Sequence, residues 1–278
     1  MGISTQSTDR LLSYFLLVFV LSIPFWILGA GGRKLTQVIP VNLPISALMF
    51  VCPLIAALIM TLIDAKSIGA KKLLKSAVDY KRPSRKIWFL PSIFLMPIIL
   101  ALSYVTINFI GPSLPKPQFS IQVVEIAAVF FLVFFVSAFG EEVGWSGYAT
   151  DRMENRWTAL ISGLILGSVW ATWHAIPYFE AGNTIEWIIW QCLFTIGARV
   201  IIVWLYNNTQ KSTFVAILFH TMINVSTFLF PVYGSYYNPE VTAIITIMIA
   251  AIITFLWGPR TLSNFRYAKH SLSMKTAE

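Results

Sequence analysis

Two adjacent glutamates stand in an otherwise apolar stretch of this 278-residue chain. Glu141 and Glu142 end a mostly apolar run, and the sequence stays apolar and rich in glycine and aromatic residues as far as Thr150. We therefore expect both carboxylates to lie below a membrane surface, on an extended helix. Since neighbouring side chains on a helix point about 100° apart, one carboxylate can face a cavity as a general base while the other orients a partner. The alternative is an acidic helix end at the membrane interface.

All three histidines follow these glutamates in the chain, and two of them, His174 and His220, lie in apolar segments. His174 lies near the end of one segment, and Trp170, one helical turn earlier, can pack on its imidazole ring. His220 and Asn224 stand four residues apart in a later segment, so their side chains project from the same face of a helix. Ionisable groups inside a membrane mark functional sites, although a single buried histidine is more often a structural hydrogen-bonding group.

The overall composition places these polar residues in a membrane protein. Hydrophobic residues make up 57% of the chain and charged residues only 12%. A soluble domain has roughly 25% charged residues, so this chain has too few to cover a soluble fold of its size. The aromatic content of 15% excludes an intrinsically disordered chain. No basic stripe is interleaved with stacking aromatics, so we expect membrane lipids as partners and no nucleic acid.

Eight segments are apolar enough to cross a bilayer, which takes about 20 residues. They are Leu11–Ala30, Ile39–Ile63, Ile87–Ile110, Ile121–Gly140, Trp157–Pro177, Thr184–Tyr206, Ser212–Val232 and Val241–Trp257. We predict an all-α polytopic membrane protein of about eight transmembrane helices. Residues 1–278 are expected to form a single integral-membrane domain.

Lysine and arginine are distributed unevenly between the segments that connect these spans. If the N-terminus is cytoplasmic, 16 of the 20 basic residues fall on the cytoplasmic side and three on the other side. The connecting segment 64–86 alone holds eight of them, and we expect it to lie on anionic lipid headgroups. This bias predicts that both termini are cytoplasmic. We expect the protein to reside in the plasma membrane.

The order of these motifs resembles the CPBP family, which comprises CAAX-protease and bacteriocin-processing proteins. The family is also called Abi and includes prenyl-protein endopeptidases of the Ras-converting type. The resemblance covers a motif core at residues 139–226: Glu-Glu followed by Gly-Trp-x-Gly-Tyr, then an aromatic-x-x-x-His, then His-x-x-x-Asn. It implies an intramembrane endopeptidase acting on membrane-anchored proteins or peptides. Prenylated CAAX proteins are the best-known substrate class of the family.

The resemblance also implies a role for each residue of the motifs. Glu141 and His174 would activate the attacking water, and Glu142 would support the site. His220 and Asn224 would hold the scissile carbonyl or its oxyanion, or bind a metal. The family is usually described as metalloproteases, and zinc would accept Glu141, His174 and His220 as ligands. The chain lacks the HExxH motif of zinc proteases, and a metal-free, glutamate-dependent mechanism has also been argued for the family, so both mechanisms stay open.

Two positions depart from the family pattern. Ser146 stands where the first motif commonly has an arginine, four residues after the second glutamate, so a fixed cation is missing there. Arg152 or Arg199 is a candidate to supply that charge instead. The alternative for Arg199, which falls inside the sixth span, is a snorkelling side chain or a structural ion pair. The phenylalanine that is common in the second motif is replaced by Trp170, which keeps an aromatic wall.

Two other functions are consistent with the sequence. A non-catalytic member of the same family would act in bacteriocin immunity or as a membrane scaffold, and the serine at position 146 keeps this alternative open. A proton-coupled transporter would also use intramembrane glutamate and histidine. However, the chain shows no corresponding pair of broken helices in two halves, which counts against a transporter.

The predicted spans create one geometric conflict. Simple counting along the fifth span places His174 far from the cytoplasmic side, whereas Glu141 approaches that side along the fourth span. The two side chains can meet only if the fourth helix runs on past Glu141, or if the fifth helix begins deeper in the membrane or bends.

Overall fold

The computed structural model describes residues 5–32, 43–111, 113–116, 121–231 and 234–267. These residues form α-helices and no strand, which confirms the predicted all-α membrane fold. The helices are α1 (Thr5–Ala30), α2 (Val51–Val78), α3 (Phe89–Ile110), α4 (Ile121–Gly144), α5 (Asp151–Glu154), α6 (Ala159–Glu180), α7 (Ile185–Asn208), α8 (Thr213–Leu229) and α9 (Pro239–Trp257). Seven spans in the described part are long and apolar enough to cross a membrane, and α8 is a shorter apolar helix.

Polar side chains mark where the last four helices begin. In each case the residue before the helix accepts a hydrogen bond from a backbone N–H three residues later, which satisfies one of the unpaired donors of the first turn. These capping residues are Thr158, Thr184, Ser212 and Asn238. The caps fix the register of the helices that carry His174, Arg199 and His220.

The fourth span is longer than predicted. It was expected to end at Gly140, but α4 continues to Gly144 and passes through a π-helical segment, Trp145–Thr150, into α5. One apolar span therefore covers residues 121–154. The two glutamates are not a helix end, because helical backbone bonding persists well beyond them. This is one of the two conditions under which Glu141 and His174 can meet.

The basic segment 64–86 is partly helical and not simply a connecting loop. Helix α2 continues through it to Val78, with a kink at Lys66, where φ is 52°. Beyond the kink Leu73 and Ala77 are buried, whereas the lysines of the same stretch are exposed. This amphipathic pattern explains why the segment folds against the protein. Its contact with lipid headgroups stays a prediction.

Close helix packing gathers the functional residues. Helix α6 packs along α7, and α4 packs against both α2 and α8. Two glycines permit this approach. A Cβ on Gly167 would lie 2.9 Å from the Cα of Ile196 on α7, and a Cβ on Gly140 would lie 2.7 Å from the carbonyl oxygen of Phe50. Helices α4, α6, α7 and α8 therefore surround one region of the core.

Candidate active site

A cavity of about 450 Å³ lies between α4, α6, α7 and α8. Four of the five residues predicted to form the site line it: Glu141, His174, His220 and Asn224. The fifth, Glu142, is fully buried behind the cavity wall. The structure thus brings together residues from three helices, and it separates the two glutamates into one that faces the cavity and one that faces the protein interior.

Trp170 orients both Glu141 and His174. Its indole N–H donates a hydrogen bond of 2.7 Å to Glu141 Oε2. Its carbonyl oxygen lies 3.1 Å from His174 Nδ1. Because a carbonyl only accepts, Nδ1 carries the proton, and Nε2 of a neutral ring is left as an acceptor. His174 Nε2 faces Glu141 Oε1 across 4.0 Å.

Aromatic rings hold the His174 imidazole in this orientation. Tyr178 stacks on it with ring centroids 5.6 Å apart, and Trp173 meets it edge-on at 4.7 Å. The His174 side chain keeps 19% of its surface exposed, whereas Glu141 is nearly buried. The geometry therefore presents two proton acceptors, one carboxylate oxygen and one imidazole nitrogen, to the same small space at the inner end of the cavity.

Glu142 is the centre of a buried hydrogen-bond network. Arg199 donates to both of its carboxylate oxygens, at 2.8 Å each. His220 Nδ1 lies 2.9 Å from Oε1, and the Ser146 hydroxyl donates to Oε2 at 2.5 Å. This network joins α4, α7 and α8 through one carboxylate, so each partner is held in a single arrangement.

Arg199 does not snorkel to a membrane surface. Its side chain is completely buried, it pairs with Glu142, and its guanidinium lies 4.2 Å from the centroid of the Trp170 ring. Arg152 is not part of this cluster, since it donates to the Tyr148 carbonyl and stacks on the Tyr148 ring. Arg199 therefore supplies the cation beside the carboxylates.

The second histidine presents only one ring nitrogen to the cavity. Glu142 occupies Nδ1 of His220, so Nε2 is the nitrogen left for a ligand. The Trp170 ring packs edge-on against His220, with centroids 4.9 Å apart. Asn224 lies one turn further along α8 and lines the same cavity. Two polar groups on one helix face therefore lie across the cavity from the helix that carries His174.

The residues expected to bind zinc do not form a zinc site as they are placed. Within the described ranges, no group of three His, Cys, Asp or Glu side chains is arranged to hold a metal ion. Glu141 and His174 lie close together, but His220 is directed by its bond to Glu142.

Two structural roles escaped the sequence reasoning. Trp170 was interpreted as an aromatic wall, and its hydrogen bond to Glu141 was not anticipated. Tyr178 was not singled out, although it lies one turn after His174 and stacks on it. The helical spacing of four residues between Trp170, His174 and Tyr178 was the signal available, because such residues share a helix face.

Comparison with known proteins finds two similarities that cover the segment of the site. The model of the type II CAAX prenyl endopeptidase Rce1-like family matches residues 123–226, which include all five predicted site residues. The chain is also 26% identical over 255 residues to CAAX prenyl protease 2 of Methanococcus maripaludis, an alignment that covers 87% of this chain and 92% of that protein. Together with the ordered motifs and the multi-span helical fold, these similarities support the resemblance of the chain to the CPBP family of intramembrane proteases.

Proposed function

We propose that this protein is a CAAX-type intramembrane endopeptidase that hydrolyses peptide bonds of membrane-anchored proteins or peptides. The proposal is supported by the similarity to CAAX prenyl protease 2 and by a cavity in which acid–base side chains meet within the membrane span. We also propose that it resides in the plasma membrane, where membrane lipids surround it.

The observation that carries the proposal is the arrangement of Glu141 and His174. Their facing acceptor atoms, Oε1 and Nε2, lie 4.0 Å apart. A water molecule between them can donate one proton to each at about 2.8 Å, the usual distance for such bonds. Its lone pair is then free to attack a peptide carbonyl, and Glu141 accepts the proton as the general base. Trp170 keeps Glu141 Oε2 occupied, so Oε1 is the oxygen that acts.

His220 and Asn224 would stabilise the oxyanion that forms on the attacked carbonyl. The Asn224 amide donates through its nitrogen. His220 donates through Nε2 when its ring is doubly protonated, because Nδ1 already donates to Glu142. Glu142 does not touch the substrate in this scheme, and it positions His220.

The contacts of Glu142 weaken the argument that this protein is a non-catalytic scaffold or immunity protein. That alternative rested on Ser146, which removes the usual cation from the first motif. Arg199 binds Glu142 in place of that cation, and Ser146 itself donates to the same carboxylate. The support for Glu142 is therefore intact, and catalysis is the function that the site favours.

The experiment that tests this function is cleavage of a farnesylated CAAX peptide by the purified protein in nanodiscs, followed by mass spectrometry. We expect a shortened prenylated product with the wild type and with Glu186→Gln, a control at an exposed glutamate. Glu141→Gln, which keeps the side-chain size, should fold normally and yield no product. Equal cleavage by Glu141→Gln and the wild type would refute the mechanism.

A substrate other than a CAAX peptide requires a broader search. Comparative proteomics of membrane peptides from cells with wild-type protein or Glu141→Gln would show the accumulating precursor. If neither assay yields a product or a precursor, and partner proteins bind the wild type but not the site variants, the scaffold function would replace the protease.

A further inference from the structure

A further polar side chain lines the cavity and takes no part in water activation or oxyanion stabilisation. Gln191 lies on α7, within the apolar span Ile185–Asn208, and only 7% of its surface is exposed. It lines the same cavity as Glu141 and His174. Because burying an amide without hydrogen-bond partners is costly, the partners of its oxygen and its nitrogen indicate what this side chain does.

Tyr237 fixes the orientation of the Gln191 amide. The Tyr237 hydroxyl donates a hydrogen bond of 2.7 Å to Gln191 Oε1, which leaves the amide nitrogen with its two N–H groups. The Tyr178 hydroxyl lies beside the Gln191 side chain and can accept from one of them. Within the described ranges these are the polar contacts of the Gln191 side chain, so at least one N–H remains for a ligand in the cavity.

Gln191 lies close to the groups that activate the attacking water. Its neighbour Tyr178 stacks on the His174 imidazole, with ring centroids 5.6 Å apart. One aromatic side chain thus lies between Gln191 and His174. Residues of an extended peptide follow one another about every 3.3 Å. A peptide whose scissile carbonyl lies at Glu141 and His174 therefore places another main-chain carbonyl near Gln191.

The charges of the cavity wall determine which kind of acceptor Gln191 can bind. Among the described residues that line the cavity there is no lysine or arginine, and Glu141 is the only carboxylate. Arg199 is occupied by Glu142 behind the wall. A ligand carboxylate would lose its hydration without a lysine or arginine to pair with, and Glu141 would repel it. A neutral carbonyl oxygen avoids both costs.

We propose that Gln191 is a substrate-binding residue whose amide N–H donates a hydrogen bond to a neutral main-chain carbonyl of the peptide, close to the scissile bond. The inference rests on the proposed function, and it defines the segment that occupies the cavity as an extended and uncharged stretch of peptide. Tyr237 holds the amide in the donating orientation. Trp187 and Phe228, which also line the cavity, provide apolar contact on the same segment.

Peptide binding to the inactive Glu141→Gln protein, here called the parent, tests this proposal without cleavage. The probe is a farnesylated CAAX peptide with a fluorophore at its N-terminus. It is titrated with protein in nanodiscs and followed by fluorescence anisotropy, with empty nanodiscs as the background. Adding Gln191→Met keeps the side-chain length and removes the N–H donors. Binding should weaken by about 2- to 10-fold, the usual effect of one neutral hydrogen bond.

Two further variants serve as controls in the same assay. Gln122→Met, at an exposed glutamine near the start of α4, should bind the peptide as the parent does. Tyr237→Phe removes the hydrogen bond between Tyr237 and Gln191 but leaves the amide donors, so it should weaken binding less than Gln191→Met does. If Gln191 only anchors Tyr237, the two variants lose equally. Equal losses, or unchanged binding by Gln191→Met, would overturn the proposal.

The peptide can also be altered while the parent protein is kept. In a series of peptides, one amide bond at a time is replaced by an (E)-alkene, which removes one carbonyl oxygen. We expect one of these peptides to bind the parent about 2- to 10-fold more weakly and to show no further loss with Gln191→Met. A series in which no peptide is weakened, or in which every loss is the same with both proteins, would contradict the proposal.

Binding and cleavage are measured separately, so the two proposals can fail independently. Peptide binding that depends on Gln191, with no cleavage by the wild type, would refute the protease and leave the carbonyl-binding role standing. Cleavage by the wild type, with binding unchanged in Gln191→Met, would refute that role and leave the protease standing. A parent protein that does not bind the peptide at all would also overturn the role of Gln191.

Discussion

Arg199 on α7 binds both carboxylate oxygens of Glu142 on α4, at 2.8 Å each, and neither side chain has any exposed surface. The same carboxylate holds His220 through Nδ1. A buried carboxylate without a counter-charge is strongly unfavourable, so the two residues depend on each other. The pair therefore fixes the position of His220, the α8 histidine that faces the cavity.

Removal of Arg199 should destabilise the protein. Breaking one partner of a buried ion pair costs about 3–5 kcal/mol, because the other charge is left uncompensated. Arg199→Ala should lower the unfolding temperature in detergent, and Arg199→Lys should lower it less, since lysine keeps the charge but loses the bidentate bond. Lys75→Ala, at an exposed position, is the control and should unfold as the wild type does. An unchanged unfolding temperature for Arg199→Ala would show that the pair is not formed.

An arginine at position 146 should be able to replace Arg199 as the cation that binds Glu142. Ser146 donates to the same oxygen of Glu142 as Arg199 does, so an arginine at position 146 starts one helical turn from that carboxylate. We expect Ser146→Arg/Arg199→Ser to be more stable and more active than Arg199→Ser alone. The coupling between the two positions is obtained from the unfolding temperatures and cleavage rates of Ser146→Arg, Arg199→Ser and the double variant. Additive losses in the double variant would contradict this prediction.

Both the indole N–H group and the ring of Trp170 should contribute to the cleavage rate. Trp170→Phe keeps an aromatic wall and removes the hydrogen bond to Glu141. A bond to a charged group is worth about 1.5–3 kcal/mol, so the cleavage rate should fall by about 10- to 100-fold. Trp187→Phe, another cavity tryptophan, is the matched control and should reduce the rate far less. If both variants cleave equally fast, the hydrogen bond has no catalytic importance.

Asn224 should act on the transition state more than on substrate binding. Loss of one oxyanion donor typically reduces kcat by about 10²–10³, so Asn224→Ala should lower kcat with little change in KM. Asn183→Ala, at another residue that lines the cavity, is the control. If this variant alters kcat or KM at all, the change should be in KM. A purely raised KM in Asn224→Ala would place this residue in substrate binding instead.

Activation of the attacking water by Glu141 and His174 uses no metal ion. Cleavage should therefore continue after treatment with 1,10-phenanthroline or EDTA and after dialysis, and metal analysis of the active protein should show no stoichiometric zinc. Loss of activity that is restored by added zinc would contradict this account, and it would require Glu141, His174 and His220 to rearrange around the ion.

The sequence was sufficient to predict the helical membrane fold and the side chains that line the cavity. The sequence places four polar side chains in apolar segments: Glu141, His174, His220 and Asn224. Because burying a polar group in a membrane costs free energy, each of these residues can be recognised individually as a candidate functional residue. Helical spacing also predicted that Trp170 contacts His174. These predictions depend on local sequence, and local sequence determines hydropathy and the faces of helices.

The features that could not be predicted depend on contacts between distant segments. Arg199 lies 57 residues from Glu142 in the chain, and the choice between snorkelling and pairing is decided by the rotation and depth of α7. The continuation of α4 beyond Gly140 also depends on its tertiary surroundings, because a Gly-Glu-Glu sequence alone is typical of a helix end. The kink in α2 occurs at Lys66 and not at a proline or glycine, so the residue type gives no signal that would predict it.

The most direct test of the central claim is a double-mutant cycle on the cleavage rate, with Glu141→Gln, His174→Ala and the double variant in nanodiscs. If the two side chains activate the same water, each single variant should lose about 10²–10⁴ in rate, and the double variant should lose little more than either alone. Losses that multiply in the double variant, or a single variant that cleaves at the wild-type rate, would contradict the account.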